Sequence, residues 1–365
     1  MSAPDWVPIR DELRHEEPYG APQLDVPVQL NVNENPYGPS ADAAADIAEA
    51  VRAAALTLNR YPDREATELR VALAGYLGFG LTADGVWAAN GSNEIMQQVL
   101  QAFGGPGRTA LSFAPTYSMY PEYARNTHTR WVAGQRRKNF GIEVGEALAL
   151  IRAEQPDVVI LTSPNNPTGT ALGLDVVRAV LEASPGIVVV DEAYAEFRRS
   201  GTPTALELLA EFPRLLVTRT MSKAFAFAGG RLGYVAADPA IIDALRIVRL
   251  PYHLSSVSQA AATAALRHAD ELLANVDQLR RTRDDTARWL VDRGFDVAES
   301  DANFILFGSF PDRHAVWQGL LERGVLIRET GPDGWLRVSI GTPAEMQAFH
   351  TALTAITNHE GATDQ

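Results

Sequence analysis

The chain has 365 residues, 46% of them hydrophobic, enough to bury a large core and to divide into one large and one small lobe. Forty-five acids against 32 Lys and Arg give a formal charge of −13, which opposes binding to nucleic-acid phosphate or an anionic membrane surface, so an anionic ligand must be held by local positive groups. With no cysteine, disulfides, thiolate catalysis and cysteine-ligated metal or iron–sulfur centres are excluded and a cytoplasmic setting is expected; the seven His show no metal-ligand spacing.

The N-terminal stretch MSAPDWVPIRDELRHEEPYG is charged, and no later apolar run reaches the roughly 20 residues that span a bilayer, so a protein without targeting peptide or membrane span is expected. To about residue 38 the chain is rich in Pro and Asn (PYGAPQ, NENPYGPS), which predicts an extended arm that packs on another surface. Ser40 is placed to cap an Ala-rich helix, and a second helix follows the turn-like YPDREAT. Strand-length apolar runs then recur at VWAAN, RTALSF, DVVILTS, GIVVVDEA, RLLVTRT and RLGYVAA, mostly separated by helical segments such as GLDVVRAVLEA. This alternation predicts a parallel α/β sheet. The segment SQAAATAALRHADELLANVDQLRRTRDDTARWLVDRG predicts one long connecting helix, and short strands at ANFILFG, GVLIRE and GWLRVSIG follow, before a polar tail, NHEGATDQ, that is expected to fray. The expected division is an arm at 1–39 belonging with the small lobe, a large α/β lobe at 40–255, and the connecting helix plus a small α+β lobe at 256–365.

Polar residues follow several of these apolar runs where strand should give way to loop: SPNNPTG after DVVILT, DEAY after GIVVV, TMSKAF after RLLVTR. In an open α/β sheet the site lies at the carboxyl ends of the strands, so Asn166, Asp191, Tyr194, Ser222, Lys223 and Arg231 are expected on one edge. That set suits pyridoxal 5'-phosphate. A lysine amine near a desolvated, cationic site loses its proton more readily and condenses with the cofactor aldehyde, which nominates Lys223. A carboxylate opposite the pyridine nitrogen keeps the ring electron-withdrawing, which nominates Asp191. The Asn166 amide and Tyr194 hydroxyl can donate to the ring oxygen. The phosphate fits the helix N-terminus that opens at Gly91-Ser92-Asn93-Glu94, completed by Ser222 and Arg231.

In order and spacing, GSNE, PTYSMY, SPNNPTG, DEAY and SKAFAFAGGRLGY resemble the fold-type I aminotransferases over nearly the whole chain. With PYGAPQ, LNVNENPYGPS and RYPDREAT, they resemble the histidinol-phosphate aminotransferase branch in particular. The resemblance implies an α/β fold with a large, mostly parallel seven-stranded sheet and a smaller α+β domain. It also implies a homodimer with shared active sites. Tyr117 would then stack on the cofactor ring, Thr220 of T-x-SKAF would join the phosphate cradle, and Tyr61 would reach the cofactor phosphate of the neighbouring subunit. Tyr19 would close over substrate, with Asn33 and Tyr252 as further pocket residues. Arg337 of WLRVSIG matches the arginine that holds the substrate anion, with Arg328 of LIRE as second anchor; a guanidinium fork suits both a phosphate ester and a dicarboxylate. Gly230 stands where relatives often carry a larger residue, but Arg231 is kept.

The implied reaction is transamination between L-histidinol phosphate and 2-oxoglutarate, giving imidazole-acetol phosphate and L-glutamate in histidine biosynthesis. An aromatic amino-acid transaminase of the same subgroup would share every cofactor residue, and a decarboxylase of phosphorylated amino acids uses the same scaffold. Regulators with an aminotransferase-like sensor domain need a basic DNA-binding module, for which the chain has no room before residue 40. Singly, each motif has an ordinary structural reading: Asp191 as a helix cap, NPTG as a turn, GSNE as a helix start, the arginines as solvated strand residues. Their combined order carries the inference.

Overall fold

A computed structural model describes residue 4 and residues 6–360. The arm contributes one short strand, β1 (Val28–Gln29), and Ser40 then caps α1 (Ala41–Ala55), its hydroxyl accepting from the Ala43 N–H at 3.1 Å. α2 (Thr67–Leu77), β2 (Val86–Ala89), α3 (Ser92–Phe103), β3 (Thr109–Ala114), α4 (Met119–Asn126) and β4 (Arg130–Gln135) follow. Next come α5 (Val144–Glu154), β5 (Val158–Thr162), α6 (Leu174–Ala183), β6 (Ile187–Asp191), β7 (Leu215–Thr220), β8 (Gly233–Ala237) and α7 (Pro239–Val248).

The strands β2 to β8 form one sheet in the order β2-β8-β7-β6-β5-β3-β4. Its inner strands are buried along their length because both faces are covered. In β5, Val158 and Ile160 enter one cluster with Trp87 and Leu100, whereas Val159 and Leu161 enter another with Leu73 and Phe225. The strand β4 escaped the apolar pattern because it is an edge strand with several exposed positions. All neighbours are parallel except β8, which runs antiparallel to β7 and β2. No α-helix intervenes between β7 and β8, so the chain reverses instead of crossing over. That reversal, residues 221–232, carries Lys223 and Arg231 along the edge where β3, β5 and β6 end.

The expected single connecting helix is three: α8 (Ser256–Arg267), α9 (Ala269–Ala274) and α10 (Val276–Val291). It breaks at His268, whose backbone leaves helical geometry (φ −103°, ψ 22°) and whose Nε2 lies 3.0 Å from Asp46 Oδ2 on α1, and again at Asn275. Then come β9 (Asp296–Val297), β10 (Phe304–Gly308), α11 (Arg313–Glu322), β11 (Val325–Leu326), β12 (Leu336–Ser339) and α12 (Pro343–Glu360). The tail expected to fray from 358 continues α12 to Glu360, and its residues 361–365 lie outside the described residues. β12, β10 and β9 form an antiparallel sheet over a separate apolar cluster that includes Phe304, Phe307, Leu320 and Phe349. The arm joins this part: β1 pairs with β11, the Leu30 carbonyl accepts from Ser339 N–H at 2.9 Å, and Asn303 Nδ2 donates to the Asn33 carbonyl at 3.0 Å.

Candidate active site

A cavity of about 250 Å³ opens where the seven-stranded sheet's edge meets the arm and the second sheet. Lys223, three residues beyond β7, lines it, and its Nζ donates to the Val32 carbonyl at 2.8 Å. Burial, and after it the positive charge of Arg337, bring this amine down to about 8. Asp191, the last residue of β6, is 5% exposed and has no ion-pair partner among the described residues. Its carboxylate accepts from the Tyr120 hydroxyl at 2.7 Å and from Ala193 N–H at 3.1 Å. Burial holds its pKa above the ordinary carboxylate range, and the Tyr120 bond opposes that shift.

Ser92 and Asn93 open α3, so their N–H groups have no acceptor within the helix and the positive end of its dipole faces the cavity. Gly91 before them has φ +85°, and a Cβ there would come within 2.6 Å of an Arg231 guanidinium nitrogen, so only glycine lets the two approach. Arg231 Nη1 donates to Ser222 Oγ at 3.3 Å, and Thr220 Oγ1 to the same oxygen at 3.0 Å. Tyr117, after β3, packs edge-on against Tyr120 with centroids 5.5 Å apart.

Arg337, 6% exposed on β12, faces these groups from the other side. Its Nη1 donates to Asn166 Oδ1 at 2.5 Å and its Nη2 to the Asn31 carbonyl at 2.8 Å, while Nε is buried with no partner. Burial, with Arg328 adding to it, lowers its pKa to about 10. Arg328 lies directly across the strand pairing, joined to Arg337 by two backbone bonds of 2.9 Å. Among the described residues none of Arg231, Arg328 and Arg337 has a carboxylate partner, so three guanidinium groups line a cavity that holds a single unpaired acid. Such an arrangement calls for an anionic ligand.

A model of the family "aminotransferase class I and II" matches residues 26–353. The chain is 62% identical to the histidinol-phosphate aminotransferase of Thermobifida fusca (strain YX), over 97% of this chain and 96% of that one. It is 60% identical to histidinol-phosphate aminotransferase 3 of Burkholderia lata, over 95% of each. The chain belongs to the class I and II aminotransferases, on the histidinol-phosphate branch. The crystal structure of histidinol-phosphate aminotransferase from Sinorhizobium meliloti in complex with pyridoxal-5'-phosphate superposes with a TM-score of 0.81 at 25% identity, covering 92% of each chain. The fold of this aminotransferase is thus the α/β fold type I, as expected from its motifs.

Of the residues nominated from sequence, Ser92, Asn93, Tyr117, Asn166, Asp191, Tyr194, Thr220, Ser222, Lys223, Arg231, Tyr19, Asn33, Arg328 and Arg337 all line this one cavity. Asn33 does so with both ends of its amide engaged: Nδ2 donates to the Tyr194 hydroxyl at 3.0 Å and Oδ1 accepts from Ser339 at 2.9 Å. It orients Tyr194, leaving that phenol's proton for a group in the cavity. Tyr61 and Tyr252 are outside the cavity, stacked on each other with centroids 4.3 Å apart, Tyr61 79% exposed. Tyr120, Thr162, Thr116, Asn31 and the Val32 carbonyl were not nominated. Tyr120 had a signal, since it stands one helical turn after Tyr117 in PTYSMY. Asn31 and Val32 had none, because their roles depend on docking of the arm.

Proposed function

We propose that this aminotransferase binds pyridoxal 5'-phosphate and exchanges an amino group between L-histidinol phosphate and 2-oxoglutarate, giving imidazole-acetol phosphate and L-glutamate. The observation that carries the reading is the buried, unpaired Asp191 sharing one cavity with an amine lowered to about 8 and three arginines without acid partners. Each of these needs a counterpart that the cofactor and substrate possess: a ring nitrogen cation for Asp191, an aldehyde for Lys223, and phosphate and carboxylate for the arginines. When bound, pyridoxal phosphate supplies an electron sink that acidifies the substrate Cα–H bond.

In this reading Lys223 Nζ takes the proton from the substrate Cα, and its lowered pKa keeps a useful fraction of the amine neutral near pH 8. Asp191, its carboxylate held in place by the Tyr120 hydroxyl, would pair with the ring nitrogen of the cofactor. Asn166, whose Oδ1 is taken by Arg337, has its NH2 group left to donate, and it and the Tyr194 hydroxyl, both lining the cavity, would be the donors for the ring oxygen. Ser92, Asn93, Thr220, Ser222 and Arg231 would hold the cofactor phosphate, and Tyr117 would pack on its ring. Arg337 and Arg328 hold the anionic end of either substrate, and Tyr19, half-exposed on the arm at the cavity wall, closes over it.

The exposed Tyr61–Tyr252 pair suits a homodimer in which each subunit lends Tyr61 to its neighbour's cofactor phosphate, with Tyr252 beside it at the substrate. We read the chain as an arm at 1–39 belonging with the small lobe, a large α/β lobe at 40–255, and a connecting segment with a small α+β lobe at 256–365; the second apolar cluster, around Phe304 and Phe349, supports a separate small lobe, while Ala262, Ala265 and Leu272 of the connecting segment pack into the large one. Among the described residues no helix is long and apolar enough to cross a membrane, and we place the enzyme in the cytoplasm.

A spectral titration of the purified protein tests the assignment. Histidinol phosphate should convert the cofactor absorbance to the amine form at lower concentration than phenylalanine or glutamate. Preference for phenylalanine would move the enzyme to the aromatic transaminases, release of CO2 without an oxo acid would make it a decarboxylase, and no cofactor band would overturn the reading.

A further inference from the structure

Glu94, the last residue of the GSNE motif, does not line the cavity, yet it is the centre of a circuit of hydrogen bonds, closed by one ring stack, behind it. Its Oε2 accepts from the Asn90 backbone N–H and from Asn90 Nδ2, both at 2.7 Å. The second hydrogen of that amide goes to the His253 carbonyl at 2.9 Å. His253 Nε2 lies 2.9 Å from the Ala88 carbonyl, and its ring stacks on Trp87 with centroids 5.3 Å apart. Trp87 Nε1 donates to Gln98 Oε1 at 3.0 Å, and Gln98 Nε2 reaches back to Glu94 Oε1 at 3.4 Å. The ring therefore joins two segments far apart in sequence: the turn 90–93 and the loop 250–254.

Both segments carry backbone that needs support. Gly91 stands at φ +85° within touching distance of Arg231, and Tyr252 at φ 55° in the left-handed region that a bulky side chain seldom adopts. Tyr252 is the residue on which Tyr61 stacks. We infer that Glu94 and Asn90 are positioning residues that tie the phosphate-cradling turn to the Tyr61–Tyr252 pair, so that one carboxylate sets both cofactor retention and the placement of the tyrosines. This rests on the reading of Ser92 and Asn93 as part of the cofactor's phosphate cradle. Neither residue touches the reacting atoms; they act through Gly91, Ser92 and Tyr252.

A helix cap is the alternative role, since a glutamate one turn into a helix commonly accepts from the residue before it. Asn90→Ala separates the two, because it keeps the backbone bond from residue 90 to Glu94 and removes both side-chain bonds. The measurements are the pyridoxal-phosphate dissociation constant, from quenching of intrinsic fluorescence on titrating cofactor-free protein, and KM and kcat separately at saturating cofactor. Loss of a bond to a charged acceptor predicts a dissociation constant raised about tenfold, with KM for the amino donor raised several-fold and kcat within about twofold of the unsubstituted enzyme. Asn90→Ser, which keeps one donor, should fall between. Unchanged dissociation constant and KM in both variants, with only the thermal midpoint lowered, would reduce Glu94 to a cap and overturn the relay alone. Failure of the unsubstituted protein to take up one cofactor per chain would overturn the cofactor reading and the relay with it.

Discussion

The two walls of the cavity differ in how far apart in sequence their parts lie. The sheet wall is made of residues within a few positions of a strand end: Ser92 and Asn93 after β2, Tyr117 after β3, Asn166 after β5, Asp191 ending β6, Lys223 after β7. The opposite wall joins Asn31 and Asn33 of the arm to Arg337 and Ser339 across 306 positions of sequence. The first wall is set by strand registry in a sheet buried on both faces, so its chemistry is local and rigid. The second depends on docking of separate segments, so binding and specificity should be separable from cofactor chemistry by mutation.

The largest effect is expected on the sheet wall. Lys223→Ala should lower turnover by about 10³–10⁴-fold and abolish the borohydride-reducible adduct at this position while far-ultraviolet circular dichroism stays unchanged. The only other lysine is Lys138, so peptide mapping is unambiguous; an adduct surviving in the cavity would remove Lys223 from its role. Asp191→Asn should cost about 10²–10³-fold in kcat with a smaller change in KM, because a preorganised charge is lost while the binding wall is intact.

Arg337→Gln probes the other wall. It should lower kcat/KM for 2-oxoglutarate by about 30-fold or more, since a buried charge contact disappears, while the cofactor still binds. It should also reach across the cavity. Lys223 has a folded-state pKa depressed to about 8 from 10.5, so its reactive neutral form in cofactor-free protein grows as pH rises through about 8. Uptake of pyridoxal phosphate should follow that rise. Removing the Arg337 charge, which disfavours the ammonium, should move the midpoint to higher pH; an unmoved midpoint would show the two walls to be electrostatically independent.

The smallest effect belongs to the arm. Glu16 pairs with Arg125 at the end of α4 at 2.6 Å, close to Tyr19, but both side chains are partly solvated. Glu16→Gln should therefore raise KM only about two- to fivefold and less at high salt, measured as KM against ionic strength. A salt-independent change would mean that the arm is held by packing alone.

Much of the sheet wall was legible because an apolar strand followed by a polar turn is a local pattern, and three such patterns among six apolar runs in fixed order leave few topologies. The reversal of β8 was hidden in the same run of apolar residues, since parallel and antiparallel central strands share a composition; the missing helix between β7 and β8 was the available signal. β4 was passed over because an edge strand need not be apolar on both faces. The break at His268 was invisible because the sequence around it is helical in pattern, and the interruption comes with a contact to Asp46 on another helix.

The sequence by itself determined the order of motifs and the α/β class, and it nominated the lysine, acid and arginines that line one cavity, because those choices are written in residue type and short spacing. Only the tertiary structure decided that Asn33 serves Tyr194, that Tyr120 holds Asp191, that Tyr61 and Tyr252 pair outside the cavity, and that Arg337 is left without an acid. Those outcomes depend on burial and on partners brought from elsewhere in the chain. A hydrogen bond or an unpaired charge is a property of where two segments meet.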